Sequence, residues 1–194
     1  MILRKGVKAL AVIGTKVHCK NNFSWKVRST RIDDVEKLLE FIPLLDSETK
    51  FMLRSPDEFQ MTLIEEIEYI NRKIDGEKDL FLVAEVKDNI VGIINFTGSN
   101  LKYYKHQGKF AMGVIKEFWG NGIGSSLIEE MINWCDKNEI LRITLEVLET
   151  NILAINLYKK FSFAVEGILR KDSYHGNGKY LDSFIMARLS NKLI

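Results

Sequence analysis

The chain has 194 residues, 46% of them apolar and 28% charged, a globular composition long enough to bury one good core. Its 28 Lys and Arg stand against 26 Asp and Glu, a formal net charge of +2, which makes no field that would argue for a nucleic-acid partner and favours a small molecule or a single protein site instead. No apolar run approaches the ~20 residues of a membrane span, and Ala9 to Ile13 is too short for a secretory core and leads to no convincing cleavage site, so the expected location is the cytoplasm without membrane attachment.

The chain shows no repeat or low-complexity tract, and its only prolines are Pro43 and Pro56, so nothing reads as an interdomain linker. The weakest boundary is near Asn21-Asn22. Residues 1–22 read as an N-terminal extension, an added strand, and 23–194 as one domain. Within the extension, Lys8 to Val17 has strand character interrupted at Gly14. Trp25 to Arg28 is a second short strand leading to a helix capped by Asp33 or Asp34. In that helix Val35, Leu38, Leu39 and Ile42 recur at helical spacing until Pro43 ends it. A second helix follows Pro56-Asp57-Glu58, with Met61, Ile64, Ile67 and Ile70 or Ile74 on one side and Glu65, Glu66 and Glu68 largely on the other; Asp75-Gly76 closes it.

From Leu80 the period becomes that of strands. Phe81 to Val86 and Ile90 to Phe96 flank an Asp88-Asn89 turn, a hairpin pattern. A loop with Tyr103, Tyr104 and His106 precedes a short strand, Phe110 to Ile115. A glycine loop from Trp119 to Gly124 then opens a helix, Ile123 to Asn138, striped by Leu127, Ile128, Met131, Ile132 and Cys135. In the next strand, Leu141 to Leu148, the residues Leu141, Ile143, Leu145 and Val147 face one way and Arg142, Thr144 and Glu146 the other. Strand, glycine loop, helix and strand make a right-handed βαβ unit around a parallel pair. A helix from Ile152 to Phe161 and strands near Phe163 to Leu169 and Tyr180 to Leu189, joined through Gly176-Asn177-Gly178, complete the chain. The cysteines Cys19 and Cys135 lie far apart, and Cys135 falls on an apolar stripe, which disfavours a disulfide. His18, His106 and His175 have no metal-ligand spacing, so no metal is expected.

Gly120, Gly122 and Gly124 let backbone approach a ligand closely, and the helix opening at Ile123 offers unpaired N–H groups carrying positive partial charge. The competing reading is a tight turn that binds nothing, which three alternating glycines weaken. A P-loop would need Gly-Lys-Ser/Thr, whereas Ser125-Ser126 follows Gly124 without the lysine. A dinucleotide fingerprint would need glycine where Leu127 stands and an acid at the end of the next strand, where Glu146 sits two residues inside.

The sequence Trp119-Gly120-Asn121-Gly122-Ile123-Gly124 resembles the Gln/Arg-x-x-Gly-x-Gly/Ala signature of the GNAT superfamily of N-acetyltransferases. The resemblance is strong from about Lys109 to Leu189. It takes in Leu145-Glu146-Val147, then Asn151, Ala154, Leu157-Tyr158-Lys159-Lys160-Phe161 and Phe163, and it is similar to ribosomal-protein alanine and small-amine acetyltransferases. It reaches weakly back to Val27 and leaves residues 1–22 unmatched; Trp119 departs from the Gln or Arg of the pattern. It implies an α+β fold in three layers, with a mixed, mostly antiparallel sheet, helices on both faces and a splayed parallel pair at the cofactor. Acetyl-CoA would be the co-substrate. Its pantetheine would meet backbone at Met112, Gly113 and Val114, its diphosphate would meet Gly120, Asn121, Gly122, Ile123, Gly124 and Ser125, and Asn151 would contribute below.

Acetyl transfer to an amine requires the amine to lose a proton, since a lysine-type nitrogen has a pKa ~10.4 and an α-amine ~7.7 to 8. By resemblance the base is Glu146, five residues before Asn151; a plain sheet-face carboxylate is the competing reading, and Glu85 is a weaker candidate. A thiolate leaving group, pKa ~8.5, calls for a nearby acid. Tyr158 fits, because seven helical residues after the N-cap Asn151 carry it roughly 10 Å along the same face. The resemblance assigns oxyanion stabilisation to the Val114 N–H. His106 is a solvated loop histidine before it is an acceptor contact, and the run Glu65, Glu66, Glu68 is a solvated helix face before it is an attractor of cations.

The leading expectation is therefore transfer of acetyl from acetyl-CoA to a primary amine by direct attack. A catalytically silent acyl-CoA sensor is the alternative, and a nicotinamide oxidoreductase a third. The pattern Glu166-Gly167, Asn177-Gly178-Lys179-Tyr180 and Asp182 to Met186 looks like branches acting on protein N-termini, amino acids or polyamines. The sequence does not choose among them, nor does it set the oligomeric state, homodimer included.

Overall fold

The structure, a computed structural model, describes residues 12–48, 50–52 and 54–190. Strands β1 (Lys16–Lys20) and β2 (Phe23–Ser29) are followed by α1 (Val35–Glu48), α2 (Leu63–Asp75) and the hairpin β3 (Asp79–Val86) and β4 (Asn89–Gly98). Then come β5 (Gln107–Val114), α3 (Ile123–Lys137), β6 (Arg142–Leu148), α4 (Ile152–Lys160), β7 (Ala164–Tyr174) and β8 (Tyr180–Leu189). The strands form one sheet in the order β1-β2-β3-β4-β5-β6-β8-β7. Every adjacent pair is antiparallel except β5 and β6.

Residue parity decides which helix each face receives. Phe96 and Phe110 pair across β4 and β5; Phe96 meets Trp134 of α3, and Phe110 meets Tyr158 of α4. One residue out of step, Phe81 meets Tyr69 of α2, and a Cβ on Gly113 would collide with Leu45 of α1. So α1 and α2 cover one face and α3 and α4 the other, the three-layer α+β arrangement expected. Phe96, Leu82, Ile94, Leu127, Ile128 and Met131 are fully buried where α3 lies on the central strands.

Several local expectations change. Of the strand expected from Lys8 to Val17, residues 8–11 lie outside the described residues; residues 12–15 are not strand, and β1 takes Lys16–Lys20 instead. Pro43 lies inside α1 rather than ending it. An internal proline costs about 3 kcal/mol, and burial of Leu45 and Asp46 in the following turn draws the helix onward. In α2, Thr62 accepts a hydrogen bond from the Glu65 N–H while the Glu65 carboxylate accepts one from the Thr62 N–H. That capping box starts the helix after Met61, and the inward stripe becomes Glu66, Ile70 and Lys73, with Ile64 exposed. The β3–β4 hairpin turns at Lys87 and Asp88, both with positive φ, one residue earlier than expected. This is the primed turn that matches strand twist. Among the described residues no helix is long and apolar enough to cross a membrane.

Candidate cofactor and active site

The parallel pair β5–β6 is joined for only part of its length. Gln107, Gly108 and Lys109 lie opposite Arg142, Ile143 and Thr144, and the pairing goes no further. Beyond it β5 stays on β4 as far as Val114, and β6 stays on β8 as far as Leu148. Each strand therefore follows its own antiparallel partner, and a V opens between them. The join is pinned from the loop before β5, where the His106 carbonyl accepts from the Leu141 N–H at 2.7 Å and the Arg142 N–H at 3.1 Å, while its ring is exposed. The Thr144 hydroxyl adds a bond to the Gly108 carbonyl at 3.2 Å.

Hydrogen-bond phase says which backbone groups face the V. The Ile115 N–H donates to the Val91 carbonyl at 3.0 Å, so Ile115, Gly113 and Ala111 exchange bonds with β4, and Phe110, Met112 and Val114 turn theirs toward β6. Of the three residues expected to meet pantetheine, Met112 and Val114 thus face the gap. Gly113 spends its backbone on β4, and its missing side chain admits Leu45. Backbone groups left unpaired on a strand invite an added hydrogen-bonding chain. The Trp119 indole already uses this edge, its Nε1 donating to the Val114 carbonyl at 2.5 Å. The Val114 N–H is left facing the gap.

At the mouth of the V the glycine loop turns into α3. Gly120 and Gly122 have φ of +78° and +101°, where a side chain would be strained. Gly122 is the N-cap and supplies no side-chain cap. The first intrahelical bond runs from the Ser126 N–H to the Gly122 carbonyl, which leaves the N–H groups of Ile123, Gly124 and Ser125 without helical partners. The first turn carries no acidic residue, so nothing offsets the positive end of the helix dipole. A Cβ on Gly124 would stand 3.1 Å from Leu157 of α4 and 3.4 Å from Met112, so glycine brings the helix start close to both. Asn121 turns its amide inward, to the Phe118 carbonyl at 3.2 Å. These N–H groups and this bare glycine surface fit a diphosphate.

Tyr158 reaches the point where the strands part. It is buried against Phe110 and Phe163, with ring centroids 5.8 and 6.0 Å away. Burial pushes its phenol well above the ordinary tyrosine range, so the hydroxyl stays protonated and is a donor. Asn151 caps α4, its side-chain oxygen accepting from the Ala154 N–H at 3.2 Å. Glu146 is exposed on β6, one residue out of step with Leu145 and Val147, whose face carries α4. The glutamate and the tyrosine therefore approach the gap from opposite faces of the sheet. Glu85 is placed differently, buried and accepting from Arg28 Nε at 3.0 Å beside Asp34; its carboxylate is committed to that ion pair. Among the described residues no three His, Cys, Asp or Glu side chains gather as a metal site would. Sequence reasoning missed the Phe110 and Phe163 packing around Tyr158 and the Trp119–Val114 bond. Alternation on the strand pointed to the aromatic cluster; nothing local pointed to the indole contact.

Comparison with known proteins agrees with this geometry. Residues 44–163 match the model of the acetyltransferase (GNAT) family. The chain is 34% identical over 109 residues to an L-amino acid N-acetyltransferase of Escherichia coli, covering 56% of this chain and 67% of that protein. Its structure superposes on an acetyltransferase of the GNAT family from Streptococcus pneumoniae with a TM-score of 0.82 and 30% identity, over 86% of this chain and 99% of that one. A Salmonella typhimurium protein solved with its cofactor acetyl-CoA shares the fold, with a TM-score of 0.73 at 16% identity over 85% and 93% of the two chains. An opened parallel strand pair, a glycine-led helix start at its mouth and a match over more than half the chain lead to one conclusion: this chain belongs to the GNAT family of acetyltransferases.

Proposed function

We propose that the protein transfers acetyl from acetyl-CoA to a primary amine by direct attack within a ternary complex, with a free L-amino acid, a protein N-terminus or a polyamine as the acceptor class. The observation that carries this is the V itself. The Met112 and Val114 backbone faces a gap that leads from the N–H cluster at Ile123, Gly124 and Ser125 to the protonated hydroxyl of Tyr158. The likeness to an L-amino acid N-acetyltransferase of E. coli supports testing that class of acceptor first.

Bound acetyl-CoA supplies a thioester whose carbonyl carbon is open to attack by the amine and whose sulfur leaves as a thiolate. Glu146 takes the amine proton on its carboxylate from the exposed face of the sheet. The Val114 N–H faces the thioester carbonyl oxygen and stabilises the charge that develops there. Tyr158 gives its hydroxyl proton to the sulfur from the opposite face. Met112 and Val114 align the pantetheine, and Gly120, Asn121, Gly122, Ile123, Gly124 and Ser125 surround the diphosphate, with Asn151 holding α4 in place below it.

The test is thiol release from acetyl-CoA against a panel of L-amino acids, N-terminal peptides and polyamines. Amine-dependent release with at least one class is expected. Tight CoA binding with no turnover on any amine would make the protein an acyl-CoA sensor, and nucleotide binding that CoA cannot displace would return the nicotinamide reading. The protonated tyrosine at the apex favours the enzyme, because a sensor has no use for a proton donor there.

A further inference from the structure

The N-terminal strand contributes to the same loop from outside the family-like part of the chain. β1 pairs with β2, His18 opposite Trp25, and both are tied to α3. Lys16 Nζ lies 2.8 Å from the buried Glu130 carboxylate, His18 stacks on Trp25 at 5.8 Å, and Trp25 Nε1 donates to Ser126 Oγ at 2.8 Å. This docking carries the last residue of β1, Lys20, to the glycine loop. Its ammonium donates to the Gly120 carbonyl at 2.9 Å, and its stem passes 3.8 Å from where a Gly122 Cβ would be.

An ammonium has three donors, and one carbonyl uses one of them. Among the described residues Lys20 has no carboxylate partner. It therefore adds a full positive charge beside a helix start whose own first turn carries no acid. Trp119, at the place where the family pattern has Gln or Arg, turns its indole back to Val114. The Trp119 donor is therefore spent on Val114 rather than turned to the mouth of the loop.

We infer that Lys20 is a phosphate-binding residue and that β1 completes the acetyl-CoA site, its ammonium holding the diphosphate against Gly120 and the start of α3. This rests on the acetyl-CoA reading proposed above. A lysine exposed at the rim strengthens binding through charge and a charge-assisted hydrogen bond, an effect of roughly tenfold once solvent screening is allowed for.

Binding to the full chain is measured by calorimetry for CoA, 3′-dephospho-CoA and pantetheine, with melting temperature recorded for each variant. Lys20→Gln is expected to weaken CoA and dephospho-CoA about tenfold alike and to flatten the salt dependence of both. Pantetheine binding should hold, and Lys20→Arg should restore most of the affinity. Lys26→Gln, which removes the same charge from β2 where Lys26 faces Asp88 at 3.5 Å, should change nothing. Failure of the parent to bind CoA overturns the acetyl-CoA reading itself. CoA binding unaffected by Lys20→Gln overturns the inference alone, as does an equal loss for pantetheine, which would mean that Lys20 only shapes the loop. A loss confined to CoA and absent with dephospho-CoA overturns the assignment to the diphosphate.

Discussion

Between β2 and β4 the sheet is sealed, and between β5 and β6 it is open; polar groups are handled in opposite ways in the two regions. In the sealed region they are side chains, closed on one another. Arg28 is buried with two 2.7 Å bonds to Asp34 and further bonds to Glu85, and Lys73 is buried against the Phe96 carbonyl and the Thr97 hydroxyl. In the open region the polar groups that face the gap belong to the backbone of Met112 and Val114, with the Val114 carbonyl taken by the Trp119 indole. Two strand glutamates follow this division: Glu85 is buried and held by Arg28, and Glu146 is left exposed beside the V.

The largest effect that would break the comparison is on the sealed side. Arg28→Met strands Asp34 and Glu85 as buried carboxylates without a counter-ion, a change that costs about 3–5 kcal/mol. A loss of that size in denaturant unfolding is expected. A variant as stable as the parent would mean that the triad seals nothing. On the open side the largest effect is catalytic. Tyr158→Phe keeps the ring among Phe110 and Phe163 and removes only the proton donor, so kcat should fall roughly 10²–10³-fold with the melting temperature undiminished. Because the phenol is held far above its ordinary range, the parent's kcat/KM should rise with pH as the amine deprotonates and show no tyrosine-linked fall before about pH 10. An unchanged rate in the phenylalanine variant would remove Tyr158 as the acid.

What the sequence made legible was local and periodic. The apolar stripe of α3, the alternation on β6, the Asn151 cap and the bare glycines each lie within a few residues of their cause. Non-local facts were not legible. Where β5 and β6 part depends on which partner each strand keeps beyond Lys109 and Thr144. Glu85 owes its commitment to Arg28, far away in the chain, and Lys20 meets Gly120 only because β1 docks on α3. Two failures came from trusting residue type over packing. Residue type makes Pro43 a stop, although Leu45 and Asp46 are drawn into the core beyond it. Charge alone puts Glu66 on the solvated face, although the capping box at Thr62 fixes a phase that turns it inward beside Ile70 and Lys73.

A smaller effect sharpens the contrast between the two glutamates. Glu146→Gln should lower kcat by about tenfold, less than the tyrosine change, because an exposed position lets water pass the proton on. The deficit should be greatest at low pH, where the amine most needs a base, and stability should not move. Glu85→Gln is expected to do the reverse, lowering stability through Arg28 while leaving kcat of the folded enzyme close to the parent's. Loss of turnover from Glu85→Gln in fully folded protein would overturn the division between the two.

The smallest effect concerns a carboxylate that breaks the rule of the sealed region. Glu66 is 1% exposed on α2, and its Oε1 has no hydrogen-bond partner. Burial raises its pKa above the usual carboxylate value, an effect that Arg54 only partly opposes. Asp34 behaves differently: burial pushes it up, but the Arg28 and Arg31 contacts outweigh that and leave it lowered. The signs follow by linkage. Asp34 contributes stability that is present above its unfolded value and is lost as pH falls through its lowered folded value. Glu66 works the other way, since its folded form binds the proton more tightly than the unfolded chain does. Its penalty is absent in acid, grows as pH rises from the unfolded value through the raised folded one, and is complete above it. Glu66→Gln makes the neutral form permanent, so it should raise the melting temperature by a few degrees at pH 7, with the gain shrinking to nothing on acidification toward the unfolded carboxylate range. A destabilised glutamine variant at pH 7 would show that Arg54 gives Glu66 the same closure that Arg28 gives Glu85, and the sealed region would then have no exception.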